Sequence, residues 1–249
     1  MKKWVRRGLG LVATALLLFS AIRVGNYILE NYNSVKLNEI LQNQVVKIAA
    51  ESPEGVTHPK ESVSITVDFN NLLADNPDIV GWLYCKDTPI NYPILQSEDN
   101  SYYLRRLPDK THNITGSLFV DYRNAADFSD RNTIIYGHNM RNDKMFGSLE
   151  NYCKQDYYDA HPVMWLLLPD QSYKLELAAG CVIRSDSHFY NFPGNDEDAV
   201  KQVKEVMASS DFISEIEPRE GDLWVTLSTC SYEFDNARYI VLGRLVPVD

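Results

Sequence analysis

The feature that most limits the possible folds of this chain is a series of short β-rich runs that begins at residue 79. Each run is rich in β-branched, aromatic or other apolar residues, and turn-forming residues separate it from the next. Short strands in this arrangement predict an all-β barrel or sandwich. The eight runs span residues 79–84, 90–95, 117–122, 132–137, 163–168, 173–183, 223–229 and 238–246.

Helical segments are predicted before and between these runs. Asn195 or Asp196 can cap a helix with a valine-rich face between the sixth and seventh strands. A second helix is predicted over Met145–Gln155, after the fourth strand. Asp68 is predicted to cap a short helix that an Asn-Pro pair ends at residue 76. The expected architecture is therefore mainly β, with a helix between strands six and seven.

The N-terminus has the composition of a membrane anchor. Residues 8–22 are uncharged and mostly apolar, four cations precede them, and further apolar residues extend the run. A membrane span needs roughly 20 helical residues, so residues 8–29 suffice if the charge of Arg23 reaches the headgroups. The alternative is a cleaved signal peptide, but the one A-x-A pattern falls inside the apolar run. We favour an uncleaved signal-anchor with residues 1–7 in the cytoplasm.

The segment after this span divides into a predicted helix and a linker. Over residues 27–50, apolar residues recur at helical intervals among Asn, Gln and Lys, which predicts an amphipathic helix leaving the membrane. Residues 51–62 are polar and contain two prolines and a glycine, as is typical of a linker. We therefore assign residues 30–65 to a helical extension and linker, and residues 66–249 to one extracellular domain.

Charge is distributed unevenly between the anchor and the rest of the chain. The part that follows residue 29 carries 19 of the 24 basic residues and all 34 acidic residues, a formal net charge of −15. Phosphate binding needs a clustered basic surface, and the one such cluster lies at the extreme N-terminus. A nucleic-acid partner is therefore not expected.

Four cysteines lack the spacing of a metal site. They form no C-x-x-C pair and no Cys/His cluster of the kind that binds zinc. An even number in an extracellular domain could form two disulfides, but we favour free thiols because the chain is long enough for an ample core. Cys85, Cys153 and Cys181 are interpreted as core residues. No metal, calcium loop or organic cofactor is expected.

The fourth cysteine has a distinctive context. Thr226 to Cys230 read TLSTC, a predicted strand that ends on the cysteine, and Arg238 follows eight residues later at the start of the last strand. Another predicted strand ends in YGHN, which contains His138. A cysteine, a histidine and an arginine at strand ends can supply a nucleophile, a proton-transfer group and an oxyanion stabiliser.

These motifs, together with the stretch GWLYCKDTPINYPILQSEDNSYYL, resemble those of sortases, the cysteine transpeptidases of Gram-positive cell envelopes. The resemblance extends over about residues 68–246. The helix between the sixth and seventh strands, the helical N-terminal extension and the TLSTC sequence are similar to class B sortases. The resemblance implies an eight-stranded sortase-type β-barrel with N-terminal helices and a helix between strands 6 and 7.

The resemblance also implies roles for three side chains. Cys230 would be the nucleophile, His138 the general acid/base and Arg238 the positive group near the substrate carbonyl. Each role has a physical basis: a thiolate is the reactive form of cysteine, an imidazole can exchange protons near neutral pH, and a guanidinium stays charged and can donate two hydrogen bonds.

The implied reaction is a transpeptidation through a thioester. The enzyme would cleave a C-terminal NPxT-type sorting signal of a secreted protein after its Thr, then transfer the protein to an amine of a peptidoglycan cross-bridge or its lipid-linked precursor. An enzyme anchored by a single span, with its catalytic domain outside the cell membrane, would meet substrates still held by their own hydrophobic tails.

Four further residues would bind the substrate. Alignment of the DNSYYL segment with class B sortases implies that Asn100 and Leu104 line the groove for the Asn-Pro part of the signal. Ser228 is expected to share a face with Cys230, since side chains two apart on a strand point the same way. Tyr190, after the sixth strand, is expected to form a wall of the same groove.

Two alternative functions stay open at this point. A cysteine endopeptidase would use the same thiol chemistry with water as the acceptor. If the chain were instead a membrane-tethered β-barrel binding module, Cys230 would have only a structural role. Arg238 could also merely pair with Glu233 or Asp235 at the surface, an interaction that contributes little to stability.

Overall fold

Eight strands close into one barrel in the computed structural model, which describes residues 3–48, 65–140 and 143–248. All eight predicted strands are present, so the expected eight-stranded barrel is confirmed. We number the barrel strands in chain order: β1 Ile79–Tyr84, β2 Asn91–Leu95, β3 Leu118–Val120, β4 Asn132–Tyr136, β5 Val163–Leu167, β6 Ser172–Arg184, β7 Trp224–Cys230 and β8 Ala237–Val248.

The order of strands around the barrel is β8-β6-β5-β1-β2-β3-β4-β7, and β7 closes the ring against β8. Strand β7 pairs in parallel with β4 and antiparallel with β8. The C-terminal end of β7 therefore has a neighbouring strand on each side, one of which comes from about 90 residues earlier in the chain.

The side chains of β7 alternate between two hydrophobic clusters. Val225 and Leu227 belong to the main cluster, which also contains Tyr239 and Val241 of β8. Trp224 points to the other face and joins a second cluster. Because the period of a strand is two residues, the remaining even-numbered positions of β7 share this second face.

The predicted helix between β6 and β7 covers this second cluster. Helix α4 spans Asp196–Ala208, and the side chain of Asn195 caps it by accepting a hydrogen bond from the Asp198 amide at 2.8 Å. Val203 and Val206 are buried, so the valine-rich face packs inward as predicted.

The N-terminal region forms one continuous helix, α1, over Lys3–Val45. By length and composition, its residues 10–44 could cross a membrane. The prediction of helix as far as residue 50 is wrong at its end, because Val46–Ile48 forms a short antiparallel ladder with Ile65–Val67. The predicted linker over residues 51–62 lies outside the described residues.

The C-terminal part of α1 is tied to the barrel by hydrogen bonds. The Glu30 carboxylate accepts from the Ile114 amide at 2.8 Å, and the Gln42 amide donates to the Asn91 carbonyl at 2.7 Å. This part of α1 is therefore packed on the barrel rather than separated from it.

Two smaller predicted helices have different outcomes. Helix α2 spans Phe69–Asp75 and is capped by Asp68, as predicted. The helix predicted over Met145–Gln155 is instead a 3₁₀ helix at Gly147–Cys153 followed by α3 at Gln155–Ala160. The two are separate because Lys154 between them has an extended backbone.

All four cysteines are free thiols with different exposures. Cys85 and Cys181 are buried in the core, as interpreted from the sequence. The same interpretation is wrong for Cys153, which is exposed at the end of the 3₁₀ helix. Cys230 is half-buried.

Candidate active site

Cys230 and Arg238 are direct cross-strand neighbours on β7 and β8. The next pair along the ladder is hydrogen-bonded, because the Ser231 amide donates to the Ala237 carbonyl at 3.0 Å. Antiparallel pairs alternate in type, so Cys230 and Arg238 form a non-hydrogen-bonded pair, in which Cα atoms are only about 4.5 Å apart and side chains are closest. The eight-residue separation thus brings the thiol and the guanidinium to one face.

His138 reaches the other side of Cys230 from β4. The parallel register pairs Tyr136 with Ser228, and the Gly137 amide continues the ladder by donating to the Ser228 carbonyl at 3.1 Å. The paired register ends at Tyr136 and Ser228, and His138 and Cys230 each lie two residues further along, at the neighbouring ends of β4 and β7. His138, Cys230 and Arg238 therefore lie at the neighbouring ends of β4, β7 and β8, and we refer to these three residues as the row.

The His138 ring is held by the backbone of a 3₁₀ helix at Tyr103–Arg105. Its Nε2 atom lies 2.8 Å from the Leu104 carbonyl oxygen. A carbonyl can only accept, so Nε2 is the ring nitrogen that carries the proton in this contact. Among the described residues, no hydrogen bond joins the ring to the Cys230 thiol.

The surroundings of His138 favour its neutral form. Burial lowers the pKa of this imidazole below its ordinary value of 6.5, and the charge of Arg105 acts in the same direction, while the hydrogen bond to Leu104 opposes them. The ring is therefore mainly neutral at pH 7 and can accept a proton from a thiol.

Gly137 precedes His138 because the backbone there passes close to the core. A Cβ atom at this position would lie 2.5 Å from Leu118 Cδ2 and 2.6 Å from Phe146 Cδ2. Both of these side chains are fully buried and cannot move without disturbing the barrel.

Replacing Gly137 with alanine is therefore expected to lower the free energy of unfolding by about 1–3 kcal/mol, the usual cost of overpacking. It should also reduce turnover, because relief of the clash displaces the adjacent His138. Chemical denaturation measures the first effect, and an activity assay of the purified chain measures the second. Gly194→Ala is the matched control, since the nearest atom to its Cβ would be 3.9 Å away. Equal stability of the two variants would contradict this account.

The outer face of β7 beside Cys230 is closed by Tyr190. This tyrosine lies in a 3₁₀ helix at His188–Tyr190, and its hydroxyl is 2.8 Å from Ser228 Oγ. Burial raises the pKa of Tyr190 to about 12, and the Ser228 hydrogen bond and the charge of Arg238 act against that shift. Ser228 is 1% exposed, so its hydroxyl is occupied and covered in this structure.

The Tyr190 ring packs against Tyr136, whose hydroxyl binds the buried carboxylate of Asp121. Tyr136 stacks against the Tyr190 ring at a centroid distance of 6.4 Å and donates its hydroxyl to Asp121 Oδ2 at 3.0 Å. Arg123 forms a bidentate pair with the same carboxylate, at 2.8 and 2.9 Å. This pair and the tyrosine hydroxyl lower the pKa of Asp121 despite its burial, so it stays ionised.

The two residues assigned from the DNSYYL segment have distinct surroundings. The Leu104 carbonyl oxygen contacts the His138 ring, and the residue as a whole is 37% exposed. The Asn100 side chain accepts from the Tyr122 amide at 3.0 Å, just after β3. Leu104 is thus at the row of three side chains, whereas the Asn100 contact is with the end of β3.

Arg238 is oriented by its own strand. Its Nη1 atom donates to the Ala237 carbonyl at 3.0 Å. Within the described residues, no carboxylate forms an ion pair with Arg238, so the surface pairing with Glu233 or Asp235 that the sequence allowed is not observed. The other N–H donors of the Arg238 guanidinium are therefore available to a ligand.

Sequence reasoning missed three residues around this row: Tyr136, Asp121 and Asn139. The amide of Asn139 donates to the Cys230 carbonyl at 2.8 Å. Tyr136 and Asn139 flank Gly-His in the YGHN motif, so the motif itself was the available signal. Asp121 lies in a loop segment with no pattern that would have singled it out.

Comparison with known proteins agrees with this geometry. The sortase domain profile matches residues 83–246. Sortase B of Listeria monocytogenes is 34% identical over 99% of this chain and 98% of its own length. Sortase B of Staphylococcus aureus is 31% identical over 76% of this chain and 79% of its own length.

Solved structures lead to the same group. The structure described as a Staphylococcus aureus sortase B-substrate complex superposes with a TM-score of 0.71 at 27% identity, covering 88% of this chain and 97% of the other. Sequence and fold therefore agree over nearly the whole length. The chain belongs to the sortase family of cysteine transpeptidases, and within it to the class B sortases.

Proposed function

We propose that this transpeptidase cleaves a C-terminal NPxT-type sorting signal after its Thr and transfers the protein to an amine of peptidoglycan or its lipid-linked precursor. The observation that carries the proposal is the row of His138, Cys230 and Arg238 across three adjacent strands. A peptide carbonyl above Cys230 would have a proton acceptor on one side and a charged donor on the other.

In the first half of the reaction, Cys230 Sγ attacks the Thr carbonyl carbon and the thiol proton passes to the His138 ring. Arg238 stabilises the negative charge that develops on the carbonyl oxygen. The C–N bond then breaks, and His138 returns the proton to the departing amine. A thioester between the substrate and Cys230 results.

In the second half, the incoming amine attacks the thioester carbonyl and gives a proton to His138. The C–S bond breaks, the proton returns to the sulfur, and a new amide bond forms. No external oxidant, reductant or cofactor is needed for either half.

The groove beside this row is the proposed binding site for the sorting signal. Tyr190 and Leu104 lie next to the row, which supports their assignment as substrate-binding residues. For Ser228 to contact a substrate, Tyr190 has to release its hydroxyl. Asn100 stays a prediction that rests on its position in the DNSYYL segment.

We also propose that α1 anchors the enzyme in the cell membrane, with residues 1–7 inside and residues 66–249 outside. Apolar side chains such as Leu11, Leu17 and Phe19 in its N-terminal half are exposed, and four cations precede them in the sequence. Positive residues favour the cytoplasmic side. The packing of α1 on the barrel would then hold the site near the outer leaflet.

Arg238→Lys is expected to lower kcat/KM by about 10²- to 10³-fold, although it keeps the charge. A lysine cannot reproduce the planar fork that donates two hydrogen bonds to one acceptor group. Steady-state cleavage of a fluorogenic NPxT peptide measures this loss. Arg244→Lys is the control, because that arginine lies on the same strand but pairs with Glu176. Near-normal turnover by Arg238→Lys would contradict the oxyanion role.

A competition assay tests the proposed reaction. The purified full chain, in detergent or vesicles, is given NPxT and LPxTG peptides separately, with and without an oligoglycine or a diaminopimelate-containing peptide. We expect faster cleavage of NPxT, and a shift of product from the free acid to the amide as the amine concentration rises.

Two results would overturn the proposal. Faster cleavage of LPxTG would contradict the proposed signal. Free acid as the sole product at every amine concentration would mean that water is the acceptor, which is the activity of a cysteine endopeptidase.

A further inference from the structure

The side chain of Asn139 bridges the nucleophile strand and a neighbouring helix. Its Nδ2 atom donates to the Cys230 carbonyl at 2.8 Å and to Glu150 Oε1 at 2.7 Å. A carbonyl and an ionised carboxylate can only accept, so both contacts require the amide nitrogen and fix its orientation. The bond to the carboxylate is charge-assisted and is the stronger of the two.

This bridge lies where the ladder between β4 and β7 ends. The last backbone bond of that ladder runs from the Gly137 amide to the Ser228 carbonyl. After it, the chain turns back on itself, because the His138 carbonyl accepts from the Phe146 amide at 3.1 Å. The backbone that follows His138 therefore leaves β7.

The Asn139 side chain supplies a hydrogen bond that the β4 backbone no longer provides at this position. The backbone of Asn139 forms an isolated bridge with Met145. Cys230 and Arg238 are a non-hydrogen-bonded pair, so the Cys230 carbonyl points away from β8 and toward β4. It would have no partner from the β4 backbone, and the Asn139 amide supplies one.

We propose that Asn139 is a positioning residue for the reaction: its amide holds the backbone of Cys230 at a fixed distance from His138, and Glu150 orients that amide. The inference rests on the proposed roles of Cys230 and His138. Loss of the Asn139 amide does not remove the thiol, but it lets the end of β7, and Cys230 with it, shift relative to the His138 ring. Small misplacements of this kind cost up to about 100-fold in rate.

The test compares Asn139→Ala, Asn139→Asp and the double variant Asn139→Asp/Glu150→Gln in the full chain. In the double variant, the new amide at position 150 can donate to the new carboxylate at position 139, which restores the tie to the 3₁₀ helix. The Cys230 carbonyl, however, then faces only an acceptor. A purely structural tie is rescued by this exchange, whereas a positioning contact to Cys230 is not.

We expect Asn139→Ala to lower kcat by about 10- to 100-fold with KM within about twofold. We expect the double variant to regain the unfolding temperature lost in Asn139→Asp, but not its kcat. Recovery of kcat in the double variant, or an unchanged kcat in Asn139→Ala, would overturn the inference. If Asn139→Ala does not fold, the comparison of Asn139→Asp with Asn139→Asp/Glu150→Gln tests the same inference, because aspartate has the shape of asparagine.

Cys230→Ala is assayed beside these variants to separate the two proposals. If Cys230→Ala retains activity, the proposed catalytic role of Cys230 fails. If Cys230→Ala is inactive while Asn139→Ala is fully active, the positioning role alone is wrong.

Discussion

Replacing Cys230 with alanine is expected to lower peptide cleavage by at least about 10⁴-fold, because the proposed thioester intermediate forms on the Cys230 sulfur. The fold should persist, since Cys230 is half-buried at the end of β7 and contributes little to the core. Cleavage of an NPxT peptide and thermal unfolding measure the two properties.

The matched control for this variant is Cys153→Ala. Cys153 is also a free and accessible thiol, but it ends the 3₁₀ helix rather than a strand of the row. The Cys153→Ala variant should cleave the peptide at the rate of the unmodified chain. If Cys153→Ala were inactive and Cys230→Ala active, the nucleophile would have been assigned to the wrong cysteine.

His138→Ala is expected to give the second-largest loss, about 10²- to 10⁴-fold in kcat/KM, which is the usual contribution of a general acid/base. The thiol would lose its proton acceptor and the departing amine its proton donor. The same fluorogenic assay measures the loss. His161→Ala is the control, because His161, just after α3, is also partly buried but its ring contacts Tyr157 of that helix. Equal activity of the two variants would exclude His138 from the reaction.

Much of the barrel could be predicted because its signals are local. Each strand is a short β-rich run between turns, and the predicted bounds of β1 match the structure. The cap of α4 could also be predicted, since an Asn at that position followed by a valine-rich face is a local pattern. The end of α1 at Val45 was missed, because the ladder with Ile65–Val67 depends on residues far along the chain.

The candidate site was predictable only where it is local or resembles a known motif. Cys230 and Arg238 are eight residues apart, and a tight connection between antiparallel strands brings them together. His138 comes from a strand 92 positions earlier, so its place beside Cys230 depends on the parallel pairing of β4 with β7. The contact of Asn139 with Cys230 depends on the same pairing, whereas Asp121 reaches Tyr136 through the pairing of β3 with β4.

A substrate acyl group that passes through the sulfur of Cys230 can be detected on that residue by intact-protein mass spectrometry. The full chain is mixed with an NPxT peptide without added amine, quenched in acid and mapped by proteolysis. We expect an adduct on Cys230 that has the mass of the peptide up to its Thr and that hydroxylamine removes. An adduct on Cys153, or cleavage without any adduct on Cys230, would contradict it.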